Sequence, residues 1–160
     1  ALMIVDRDQA QNVRAIVSKI GAIGQTHMME TNGNDIPVDL QAIEAARTLL
    51  FNGPNGPIVT RTPLVLSSPL SDQLGCRVWL KLETLQKTGS YKIRGAYNNI
   101  ANLTPAQTEA GIVTASAGNH AQGVAAAAQI RGLPALIVMP ADTPQIKQDN
   151  TRGFGAEVVT

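Results

Sequence analysis

The stretch 111–160 constrains the fold of this 160-residue chain more than any other part of it. Apolar runs at 112–115, 135–139 and 156–160 alternate with two segments that carry helix signals. The first segment, 119–131, is followed by Gly132 at the position where a left-handed residue ends a helix. The second, 143–151, has Pro144 at its first turn, where proline loses nothing. Short strands alternating with helices of this length predict a parallel sheet with right-handed crossovers and flanking helices, an α/β fold. Composition agrees. Hydrophobic residues make up 44% of the chain but aromatics only 3%, so alanine, glycine and short aliphatics must pack the core, which favours α/β layers over a β-sandwich.

Upstream the pattern is less regular. Residues 6–20 place Val13, Ile16, Val17 and Ile20 at helical spacing, ended by Gly21 and Gly24. Residues 25–37 read as a polar linker around Asn32-Gly33-Asn34-Asp35. Asp39 is placed to cap a helix with Leu40, Ile43, Ala46, Leu49 and Leu50 on its apolar side, and the run from Asn52 to Pro57 stops it. Residues 62–70 read as extended, 71–75 as a short helix or turn, and 78–83 alternate and read as a strand. A further helix is expected over 91–103, with Ile93, Ala96, Tyr97 and Ile100 on one side.

Charge and cysteine usage exclude several classes. Thirteen basic and twelve acidic side chains leave a formal charge of +1, so nothing favours nucleic acid or an acidic membrane surface. No run is long and apolar enough to span a membrane, and the first residues lack the build of a secretory signal. Cys76 is the single cysteine; an intrachain disulfide is impossible, a cytoplasmic setting is the simpler reading, and the thiol is expected to be buried and inert. His27 and His120 with one cysteine make no zinc set, so no metal is expected.

Two motifs carry chemistry. The run Thr-Gly-Ser-Tyr-Lys-Ile-Arg-Gly-Ala at 88–96 sets Lys92 just inside a helix start, with Ser90 as the predicted N-cap. Tyr91 and Ile93 offer apolar cover that would favour the uncharged, nucleophilic amine, and Arg94 would add to this if it pointed inward. The run Ser-Ala-Gly-Asn-His-Ala-Gln-Gly at 116–123 is a small-residue turn opening a helix. Free N–H groups around Ala117, Gly118, Asn119 and His120, with the positive end of the helix dipole, favour a carboxylate there. A reactive amine followed by an anion cradle suits a pyridoxal phosphate enzyme acting on an amino acid. Gly123, inside the following helix, implies close approach of another element or of a cofactor.

From about Thr62 onward both motifs resemble those of the serine/threonine dehydratase family, which includes threonine ammonia-lyases and, as close relatives, serine racemases. The family lies within the tryptophan-synthase-β, or type II, class of pyridoxal phosphate enzymes. The resemblance implies an incomplete type II fold, with 37–110 as the N-terminal part of the cofactor domain, 111–160 as the start of a smaller α/β domain, and 1–36 as an extension. It implies pyridoxal 5′-phosphate as cofactor, Lys92 as the Schiff-base lysine that later takes the α-proton, and Tyr91 and Asn119 as cofactor contacts, with Asn119 on the ring 3′-oxygen. Ser116, Ala117, Gly118, Asn119 and His120 would hold the substrate carboxylate, and a homo-oligomer is expected for the full-length protein. Serine racemases tend to carry a serine at the position of Ala117, so alanine there favours elimination of ammonia from L-threonine or L-serine.

The glycine-rich phosphate turn of the family, and the residue facing its pyridine nitrogen, are not found in this sequence. The chain is therefore expected to be an N-terminal fragment, inactive by itself. Met28 or Met29 is a candidate natural start, with a genuine N-terminal helix as the alternative. Two further readings stay open: a non-catalytic α/β module, and a racemase of the same family.

Overall fold

The computed structural model describes the backbone of Leu2–Met3 and all of residues 38–160. The expected 6–20 helix, the whole 25–37 linker and the candidate starts Met28 and Met29 lie outside the described residues. A four-stranded sheet runs in the order β1 (Leu2–Met3), β4 (Ile112–Ala115), β5 (Ala135–Val138), β6 (Glu157–Val159). Strands β4, β5 and β6 are parallel, with Ile112 opposite Ala135 and Leu136 opposite Glu157, while β1 runs antiparallel to β4. The strand–helix alternation of 111–160 thus forms the parallel sheet it predicts. Its crossovers are α5 (Asn119–Ile130) and α6 (Gln145–Gly153). Gly111, just before β4, has φ +94°, and an added Cβ there would lie 2.7 Å from the Pro134 carbonyl oxygen. That oxygen is needed by Ile112 N–H, at 2.9 Å, so both conformation and space demand glycine.

Helix α5 lies at the centre of the described core. Its residues from Ala121 to Ala128 are all buried, so it presents no solvent stripe over that length and packs against both the sheet and α3 (Lys92–Ala101). Small side chains allow this close packing. Tyr97 and Ile100 of α3 are 0% exposed and Ile93 is 1% exposed, in one apolar cluster with Val124, Ile112 and Ile137. Helix α1 (Leu40–Asn52) adds Leu50 to the cluster, and the Asp39 carboxylate caps it by accepting from Ala42 N–H at 2.7 Å. A one-turn helix, α4 (Pro105–Thr108), begins with a reciprocal capping box between Thr104 and Gln107.

The region 62–83 departs from expectation. Only Leu64–Leu66 (β2) and Trp79–Lys81 (β3) are strands, paired antiparallel in a separate two-stranded sheet. Between them α2 (Ser68–Leu74) begins three residues before the predicted turn, because Pro69 near its start favours helical φ and needs no hydrogen-bond donor there. All six strand residues are exposed, Leu64 at 58% and Trp79 at 51%. The alternation at 78–83 therefore does not mark a buried face, since no described layer covers this sheet. Cys76, expected to be buried, is exposed for the same reason.

Candidate functional site

Lys92 is the first residue of α3, one position later than a Ser90 cap would give. Tyr91 holds the N-cap position in helical conformation and makes no side-chain cap. Ser90 still contributes, since its Oγ accepts from Lys92 N–H at 3.4 Å. The helix forms here because Ile93, Ala96, Tyr97 and Ile100 fall on one face and all reach the core. That face turns Ile93 away from the amine. Tyr91 is 57% exposed, and Lys92 Nζ stands 4.9 Å from the centre of its ring, a cation–π distance rather than an apolar cover.

Arg94 does not crowd the amine with bare charge. Its Nε and Nη2 each donate to a Glu83 carboxylate oxygen at 2.8 Å. Hydrogen bonding from Arg94 holds the Glu83 carboxyl down from 4.5 to about 2 against the opposing effect of burial, and the same bonds raise Arg94 further. Nothing local in the sequence joins residues eleven apart across a loop, and this pair escaped the sequence reading.

The turn at 116–118 joins β4 to α5, whose first residues are Asn119 and His120, at the carboxyl edge of the parallel sheet where ligands bind in such folds. Ser116 N–H continues the ladder to Val138 O at 3.0 Å. The Gly118 N–H is already taken within the turn by Ser116 Oγ, at 3.3 Å. Ser116 is half-buried, while Ala117 and Asn119 are exposed.

Helices α3 and α5 cross so closely that an added Cβ on Gly123 would sit 3.1 Å from the Lys92 carbonyl carbon and 3.2 Å from Lys92 Cβ. The contact implied at Gly123 is thus the lysine's own backbone. A cleft of about 380 Å³ lies beside the crossing, lined among others by Tyr91, Lys92, Gly95, Asn99 and His120. The buried His120 Nε2 has no hydrogen-bond partner, and burial lowers its pKa from 6.5, with the Lys92 charge a lesser cause. Asn119 faces a neighbouring cleft of about 530 Å³ with Thr88, Gly89, Gln122 and Lys147. Lys92, Tyr91 and His120 therefore meet in one cleft and Asn119 lines the next. Among the described residues no cluster of histidine, cysteine and carboxylates could hold a metal, and no helix is long and apolar enough to cross a membrane.

Residues 56–160 match the family described as pyridoxal-phosphate dependent enzyme. The chain belongs to that family. It is 52% identical over 122 residues to an L-threonine ammonia-lyase of Thermotoga maritima, covering 76% of this chain and 29% of that protein. In structure it is similar to the processed form of threonine deaminase isoform 2 from Solanum lycopersicum, at 43% identity and a TM-score of 0.63 over 76% of this chain and 34% of the other. Maize serine racemase is similar at 37% identity and a TM-score of 0.67, over 76% and 36% of the two chains. The chain thus spans about a third or less of the length of these relatives. Like its neighbours it has an α/β architecture with parallel strands and flanking helices, part of a type II fold. The site fits the family's cofactor on this chain's side. A primary amine and an aromatic ring border a cleft whose buried imidazole nitrogen has no protein partner.

Proposed function

We propose that the full-length protein is a pyridoxal-phosphate-dependent ammonia-lyase converting L-threonine, or L-serine, to a 2-oxo acid and ammonia. The observation that carries this reading is Lys92 at the first turn of α3, in one cleft with His120 from the turn that opens α5. Similarity to an L-threonine ammonia-lyase points the same way. On this reading residues 37–110 begin a cofactor domain and 111–160 a smaller α/β domain.

The cofactor, when bound, supplies the electron sink for loss of the α-proton and the β-hydroxyl. This chain's residues do the rest. Lys92 Nζ would hold the cofactor through its aldehyde carbon, with loss of water, and as a free amine would take the α-proton. Tyr91 would lie beside the cofactor ring, and the Asn119 side chain would hydrogen-bond the cofactor from the neighbouring cleft. The Ser116 hydroxyl and the N–H groups from Ala117 to His120 orient the substrate carboxylate at the start of α5; Gly118 N–H must exchange its bond to Ser116 to take part. Ala117 has no exchangeable proton to deliver to the opposite face of the α-carbon, which separates this reading from racemisation despite the likeness to serine racemase.

Full-length enzyme supplied with L-threonine is expected to release 2-oxobutanoate and ammonia, and supplied with L-serine to form little D-serine. Lys92→Ala is expected to remove the 2-oxobutanoate signal. Turnover that survives this substitution would overturn the reading, and no turnover by the full-length protein would leave a non-catalytic module.

A further inference from the structure

The loop that carries Lys92 is tied together by residues to which the proposed chemistry gives no part. Glu83 accepts both Arg94 bonds at 2.8 Å, a third from Thr62 Oγ1 at 2.6 Å and a longer one from Gln86 Nε2 at 3.3 Å. Gln86 in turn exchanges two hydrogen bonds with the Thr60 backbone, accepting from its N–H and donating to its carbonyl, each at 2.9 Å. The Glu83 side chain is 16% exposed and that of Arg94 26%. Arg94 lies two residues beyond Lys92 in the same helical turn.

This part of the chain has need of such a tie. Gly89 is left-handed at φ +66°, Tyr91 gives α3 no side-chain cap, and the Ser90 bond to Lys92 N–H is long. A two-pronged arginine–carboxylate pair fixes direction as well as distance, which a point-charge contact does not.

We infer that Glu83 is a positioning residue for Lys92 and acts through Arg94, closing the loop 83–94 so that the amine leaves α3 in one orientation. The inference rests on the reading of Lys92 as the cofactor lysine. Glu83 stays ionised far below neutral pH, so the tie is intact wherever the enzyme works. An ion pair this close to the surface adds little to global stability, whereas a displacement of about 1 Å at a reacting group can cost about a hundredfold in rate. The pair is therefore expected to matter for rate more than for folding.

The test compares full-length wild type with Glu83→Gln and Arg94→Lys, and with the double variant. Glutamine keeps the size of Glu83 but loses the charge and the second acceptor for the fork. Lysine keeps the charge of Arg94 but loses the fork. Absorbance after adding pyridoxal phosphate to apoenzyme gives the rate of cofactor bonding, and steady-state assays give kcat and KM. Each single variant is expected to bond cofactor and turn over between about tenfold and a hundredfold more slowly, with KM and Tm close to wild type. The double variant is expected to be no slower than either single, because both break one interaction. Wild-type rates in folded Glu83→Gln would overturn the inference, and so would a lowered Tm with unchanged rates, or losses that add in the double variant. Borohydride reduction of the wild type is the control: a label away from Lys92 defeats the reading of Lys92 itself, whereas a label on Lys92 with unaffected variants defeats only the role of Glu83.

Discussion

The two sides of the proposed site are built in opposite ways. The lysine side is anchored by its own chain: Ile93 is buried beneath the first turn of α3, Gly123 of α5 meets the Lys92 backbone, and Glu83 holds Arg94. The carboxylate side is a turn fixed at its entrance by the sheet and left open beyond it, with Ala115, Ala117 and Asn119 exposed and one bond from Gly118 to Ser116 inside it. The difference follows from the chemistry each side is proposed to do. An amine that must meet an aldehyde carbon and later an α-proton has to be held in place, whereas an anion cradle works only if its donors are not already spent.

The comparison breaks most readily at Gly123. Valine there would drive two methyl groups toward Lys92 backbone atoms that the core prevents from moving, so Gly123→Val is expected to cost about 1–3 kcal/mol of stability. Equilibrium denaturation measures this, and a wild-type midpoint would show that the helix crossing is slack.

A smaller effect is expected from pH. The folded Glu83 carboxyl titrates at about 2, below its ordinary 4.5, so the unfolded chain takes up this proton at higher pH than the folded one. Its contribution to stability is therefore complete above about pH 4.5 and is lost as pH falls towards 2. The small Tm difference expected between wild type and Glu83→Gln at neutral pH should shrink across that window, and a difference that persists down to pH 2 would contradict the assignment. The smallest effect is expected in the open turn. Ala117→Ser places a hydroxyl at an exposed position and should change stability by no more than about 0.5 kcal/mol by the same denaturation assay. A larger loss would mean that the turn is as tightly packed as the lysine side.

The sequence made the parallel sheet legible because the 112–159 region repeats strand and helix with stop signals at each change, and because α5 and its neighbours are apolar where they are buried. Boundaries moved by up to three residues, by three at Ser68 and by one at Ser90, where the helix begins after a residue that looks like its cap. Alternation at 78–83 showed the β3 strand but not whether a layer would cover it, and Cys76 close by was misjudged as buried. The helix start at Lys92 and the turn that leads into the helix at Asn119 were legible from local residue types. The Glu83–Arg94 tie and the fit of Gly123 against Lys92 were not, since both depend on residues far apart in sequence being brought together by the fold.

Reduction of full-length holoenzyme with borohydride, followed by peptide mapping, tests the central claim most directly. The account predicts that the pyridoxyl label is found on the Lys92 peptide and that Lys92→Ala protein carries none. A label on any other lysine, or equal labelling of the Lys92→Ala protein, would contradict it.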